Sequence, residues 1–117
     1  MPDALRAAGW TVLTHHDVYG ARDEQVPDVE WLEMCGRKNL AVLTKDGRLR
    51  YRPAEIDAIR HFGVKAFVLT AGSLRAAEQA ARFDARRQRI ESACASDGPF
   101  VFAVQAERIV GVFPREG

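Results

Sequence analysis

The sequence predicts an α/β domain with a mainly parallel sheet and a C-terminal β-hairpin. Three observations carry that expectation. Helical stretches alternate with short, continuously apolar runs as far as residue 70, and such runs suit strands covered on both faces in a parallel sheet. Helix-opening prolines and helix-closing glycines punctuate the same stretch, at Pro27, Pro53, Gly9 and Gly63. Beyond residue 99 the pattern changes to two β-prone runs separated by a tight polar turn.

Taken in order, residues 3–8 favour helix and stop at Gly9, and residues 10–14, from Trp10 to Thr14, form a short β-prone run. A polar loop is expected over residues 15–25. Pro27 and Asp28 then open a helix whose apolar side is Trp31, Leu32, Met34 and Cys35, and residues 36–39 end it. The run 40–43 is expected as a buried strand, with Asp46 shortly after it. Pro53 opens a helix that closes near Gly63, and residues 64–69 repeat the buried-strand pattern. Ser73 is placed to cap a long Ala- and Arg-rich helical region. Residues 100–105 and 108–113, joined through Ala106 and Glu107, complete the hairpin.

With 117 residues the chain is expected to be one domain over residues 1–117. A content of 47% hydrophobic and 28% charged residues argues against disorder. No apolar run approaches the ~20 residues of a membrane span, and the start lacks a charged-then-apolar signal pattern, so a cytoplasmic location is expected. Cys35 and Cys94 have neither CxxC nor Cys/His spacing and read as free, buried thiols. The net charge of +1 does not by itself imply nucleic acid. Arginines nevertheless cluster at Arg48, Arg50 and Arg52 and again over residues 82–89, where guanidinium forks could meet phosphates or merely solvate the surface.

Asp28 and Asp46 are the chemically informative pair. In open parallel sheets the ligand crevice lies outside the carboxyl ends of the strands. Asp46 follows such an end, and Asp28 starts the helix that feeds the same strand. Two carboxylates there could hold Mg²⁺ or Mn²⁺, hard cations that prefer oxygen and keep several waters. Each acid also has an ordinary reading. Asp28 after Pro27 is a good helix N-cap, and Asp46-Gly47 is a favoured hairpin turn, with Arg48, Arg50 and Arg52 alternating with Leu49 and Tyr51 like a strand.

A family resemblance joins these pieces. The segments Leu-Arg-Ala-Ala-Gly-Trp-Thr-Val from Leu5, Val-Pro-Asp-Val-Glu-Trp-Leu from Val26, Val-Leu-Thr-Lys-Asp from Val42, and Arg-Tyr-Arg-Pro-Ala-Glu from Arg50 match in order. Phe67-Val68-Leu69-Thr70 fits the next strand. Over residues 4–83 the chain resembles the PIN-like domain family, specifically short bacterial relatives of VapC-type toxins, and the Thr-Lys-Asp element after an apolar strand is the most specific part. The resemblance implies a three-layer α/β/α fold, Mg²⁺ or Mn²⁺ as cofactor, RNA as substrate and a cognate antitoxin protein as partner.

By the same resemblance Asp28 is the helix-borne acid and Asp46 the acid after the strand, both metal ligands and catalytic. Glu30 points to another side of its helix and is a weaker candidate. Lys45, Arg48, Arg50 and Arg52 are expected to bind substrate phosphates, with a plain solvent lysine the alternative for Lys45. Tyr51 would either stack on a base or pack on the sheet edge, and His15 and His16 would form part of the cleft rim or of a local turn. The departure from the family is at the front, where its first strand and aspartate are expected and Asp3 lies too close to Gly9 to replace that acid. The expectation is a truncated or mis-started member, or a degenerate one.

Three readings follow from this. The first is a metal-dependent ribonuclease, the toxin of a toxin-antitoxin pair. The second is a catalytically inactive PIN-like module that binds RNA or protein, and the third an unrelated phosphohydrolase, which would lack a Gly-rich phosphate loop and an obvious nucleophile. A homodimer through the arginine-rich helix or the hairpin edge is left open.

Overall fold

The strand β2 (Lys65–Leu69) is apolar almost throughout because helices cover both of its faces. In a computed structural model, which describes residues 2–44, 52–69, 74–105 and 108–113, Ala66 and Val68 point into one core and Phe67 and Leu69 into another. The first core takes Leu32 and Cys35 from α3 (Asp28–Arg37) and Ala58 and Ile59 from α4 (Pro53–Phe62). The second takes Leu5 from α1 (Pro2–Ala7), Ala80 and Phe83 from α5 (Ala76–Ala85), and Ile90 from α6 (Arg87–Cys94). The result is the expected α/β/α layering.

The sheet order is β1-β2-β3-β4, where β1 is Ala41–Thr44, β3 is Phe100–Val104 and β4 is Ile109–Phe113. Both β1 and β3 run parallel to β2, with Leu43 opposite Phe67 and Phe67 opposite Phe102. The antiparallel pairing of β3 with β4 is the hairpin that the sequence predicts. Among the described residues no helix is long and apolar enough to cross a membrane.

Local signals explain the helices flanking the sheet. Pro53 occupies the first turn of α4, where its missing N–H costs nothing, and Gly63 closes that helix in the left-handed region at φ 69°. Asn39, at φ 56°, turns the chain out of α3 toward β1, whereas Gly36 lies inside the helix rather than at its end. Gly36 has a packing role: a Cβ there would come within 2.7 Å of the Phe62 Cβ and would also press on the Phe62 carbonyl. Gly36→Ala is therefore expected to cost about 1–3 kcal/mol in a urea melt, despite alanine's better helix propensity, because α3 and α4 must move apart.

Four expectations need correction. Residues 10–14 pair with no strand, since a cavity of about 700 Å³ lies between them and β1, lined by Thr11 to Thr14 on one side and Ala41 to Thr44 on the other. β-propensity without a neighbouring edge makes no ladder, and the Arg6 guanidinium instead donates to the Val12 carbonyl at 2.8 Å. The predicted loop over residues 15–25 is a helix, α2 (His15–Tyr19), followed by a 3-10 segment, Gly20–Gln25. Its signal is Thr14-x-x-Asp17: the Asp17 N–H donates to Thr14 Oγ1 and the Thr14 N–H to Asp17 Oδ2, each at 2.9 Å.

The Ala- and Arg-rich region is two helices, broken at Arg86, and Phe83 and Ile90 both face the second core. The helix α5 starts after Arg75, whose N–H donates to Glu78 Oε1 at 3.3 Å, and Ser73 lies outside the described residues. The strand β1 is covered less fully than expected, with Val42 buried and Ala41 exposed, because its outer edge faces the cavity. The thiols of Cys35, buried, and Cys94, half-buried, are free as expected.

Candidate functional site

Chain direction fixes one end of the sheet as the meeting place of several helix starts. The helix α3 runs into the amino end of β1 through a turn at residues 38–40, so its first turn lies by the carboxyl end of that strand. The helix α4 runs into β2 through Gly63 in the same way. Both helices therefore have their N-terminal dipole ends, with Asp28, Glu30 and Glu55 in their first turns, at the crevice end of the parallel strands.

Asp28 is half-buried there, but it is not the cap. The N-cap position falls on Pro27, in extended conformation at φ −63° and ψ 151°, and no side-chain bond caps the helix. Asp28 is the first helical residue instead, and its Oδ1 accepts the Trp31 indole N–H at 3.0 Å. The ring one turn later fixes the carboxylate in place while its other oxygen stays available for a further partner. Glu30 is exposed on another side of α3, and its charge, after burial, helps push the Tyr19 phenol up from its ordinary range.

Arg52 sits at the N-cap position of α4 and is half-exposed, with Nη1 3.6 Å from the Glu55 carboxylate. Lys45, Asp46, Arg48, Arg50 and Tyr51 lie outside the described residues. Thr44, half-buried, is the last residue of β1 and stands two positions before Asp46 in the chain. Among the described residues no three His, Cys, Asp or Glu side chains gather as a metal site. The placement of His15 and His16 is known for the backbone alone, in the first turn of α2.

Sequence reading missed one residue at this end, Glu55. It is only 7% exposed, an uncommon state for a carboxylate, and only the helical stripe it shares with Ala58 and Ile59 could have flagged it. The cysteines offer no competing chemistry, because burial pushes both thiols up and away from the reactive thiolate.

Comparison with known proteins gives a family match and a curated relative. Residues 1–71 match the family model described as "PIN like domain". The protein named "Putative ribonuclease VapC45" of Mycobacterium tuberculosis (strain ATCC 25618 / H37Rv) is 29% identical over 113 residues, covering 96% of this chain and 82% of the relative. No solved structure matches the chain.

Proposed function

The chain belongs to the PIN-like domain family, and from that premise we propose that it is a metal-dependent ribonuclease, the toxin of a bacterial toxin-antitoxin pair. The observation that carries this reading is Asp28: a half-buried carboxylate, oriented by the Trp31 indole rather than used as a cap, at the crevice end of the parallel strands. The relative named as a ribonuclease aligns over nearly the whole chain and supports it.

The donor chemistry fits Mg²⁺ or Mn²⁺, since carboxylate oxygens are the hard ligands these ions prefer, and neither imidazole nor thiolate is required. Asp28 and Asp46 would hold the ion. Such an ion, when bound, lowers the pKa of water and offsets charge at phosphorus. The work of the chain is then positioning. Trp31 keeps the Asp28 carboxylate in one orientation, and Lys45, Arg48, Arg50 and Arg52 neutralise substrate phosphates, so RNA binding weakens as salt rises. An RNA substrate and a cognate antitoxin protein put its place of action in the cytoplasm.

The test is cleavage of single-stranded RNA by the purified chain in Mg²⁺ or Mn²⁺, with EDTA as control. Metal-dependent cleavage that stops in EDTA is the expected result. RNA binding that is indifferent to metal, without cleavage, would replace the enzyme by the second reading, a catalytically inactive RNA-binding module.

A further inference from the structure

We infer that the cavity between residues 10–14 and β1 is a binding site for one extended, apolar peptide strand of a partner protein. Two features of the structure lead there.

The helical layers are wider than the sheet between them. On one face α3 reaches past β1, so that Trp31, Met34 and Cys35 line the cavity, and on the other Ile90 and Cys94 of α6 do the same with Leu5 of α1. The first three belong with the first core and the last three with the second. Val42 and Leu43 of β1 send their side chains alternately into those two cores, and a further strand beside β1 would alternate in the same way. Four residues of β1 offer about 13 Å of edge, which sets the length of the occupant. A cavity of about 700 Å³ is far larger than the close packing of an interior leaves by chance.

The walls select a peptide backbone over an apolar small molecule. β1 ends the sheet and among the described residues pairs with β2 alone, so the peptide groups of its outer edge have no strand beside them. On the opposite wall the β-prone residues 10–14 belong to no sheet. The Val12 carbonyl accepts from Arg6, and among the described residues the backbone of Thr11 and Leu13 bonds to no other backbone. A strand laid between the walls can bond to both, which is how sheet edges take extended peptides, whereas a hydrocarbon would satisfy neither. The occupant is uncharged, because the lining charges Arg87 and Glu91 already pair with each other at 2.9 Å. Leu13 at 62% and Val18 at 40% exposure also line the cavity, so its open side is apolar as well.

Both tryptophans of the protein, Trp10 and Trp31, line the cavity, so intrinsic fluorescence reports its occupation. The probe is a short synthetic peptide of alternating valine and isoleucine between terminal lysines, titrated into the full chain and followed also by amide hydrogen exchange. A saturable change in tryptophan emission is expected, with exchange slowed at least about tenfold at residues 11–13 and 41–43 together. The same peptide N-methylated at alternate residues keeps its apolar surface but loses the donors of one edge, and should bind at least about tenfold more weakly. Leu13→Asp changes an exposed position, so the fold should survive, and the charge it puts into the cavity should weaken binding by a similar factor. No saturable change, or equal binding of the N-methylated peptide, overturns the strand site. So does a Leu13→Asp chain that melts like the parent and binds the peptide unchanged. Slow exchange at residues 41–43 without peptide overturns it too: independent of concentration, it means that residues 10–14 close onto β1, and rising with concentration, that a second copy is the occupant. RNA cleavage, present or absent, leaves the peptide result unchanged, so the site stands or falls apart from the nuclease reading.

Discussion

Asp28→Asn and Asp46→Asn will each reduce metal-dependent RNA cleavage by at least roughly 100-fold, since even the outer partners of metal ligands contribute 10–100-fold. Asparagine keeps the shape of aspartate and removes the charge, so the fold should survive. For Asp28 this is a sharp expectation: an asparagine oxygen still accepts the Trp31 indole N–H, and no cap is lost because the N-cap position belongs to Pro27. Initial rates at saturating Mn²⁺, with thermal melts of each variant, check it. Cleavage at the parental rate in both variants would remove the two acids from the site. A loss confined to Asp46→Asn would leave Asp28 as a helix-start acid interacting with the dipole and its tryptophan.

Phe67→Ala will have the largest effect on stability, about 3–5 kcal/mol. Phe67 is fully buried on the central strand β2, edge-on to Phe100 with ring centroids 5.5 Å apart and stacked on Phe102 at 5.9 Å. Removing its ring leaves a cavity walled by two strands and by α5, and paired strands cannot collapse into it without breaking their ladder. Urea denaturation should show a lower midpoint at unchanged slope. Leu13→Ala is the control, because Leu13 is 62% exposed and its loss should stay within about 0.5 kcal/mol. Similar midpoints for the two variants would mean that the second core is not what holds the sheet.

The elements that sequence reading placed well have determinants within a few residues. Pro53 and Gly63 bracket α4, and the unbroken apolar run of β2 announces two covered faces. The hairpin is legible because β3 and β4 pair with each other across a short turn, without waiting for distant chain. Residues 10–14 failed on the opposite ground: a β-prone run becomes a strand only if an edge lies beside it, and here the cavity does. The helix α2 was legible in principle, since Thr14-x-x-Asp17 is a capping signal, but the polar composition of the stretch masked it.

For the site, the residues themselves identified Asp28 and Asp46 as the acids at the ends of a helix-to-strand unit, and the ordered match to a PIN-like pattern gave them chemical meaning. The order of helices and strands thus belongs to the sequence, because periodicity and chain direction are local properties, while the family and the α/β/α layering came from the resemblance. The contact that Asp28 makes shows only in the structure, although its partner lies three residues on in the same helix. The residue reads as a cap, yet its helix starts one position earlier and its carboxylate goes to Trp31. Glu55 is the same lesson from the other side. Burial is a property of what packs over a residue, and the strands and the helix packed against α4 come from parts of the chain that no local pattern brings together.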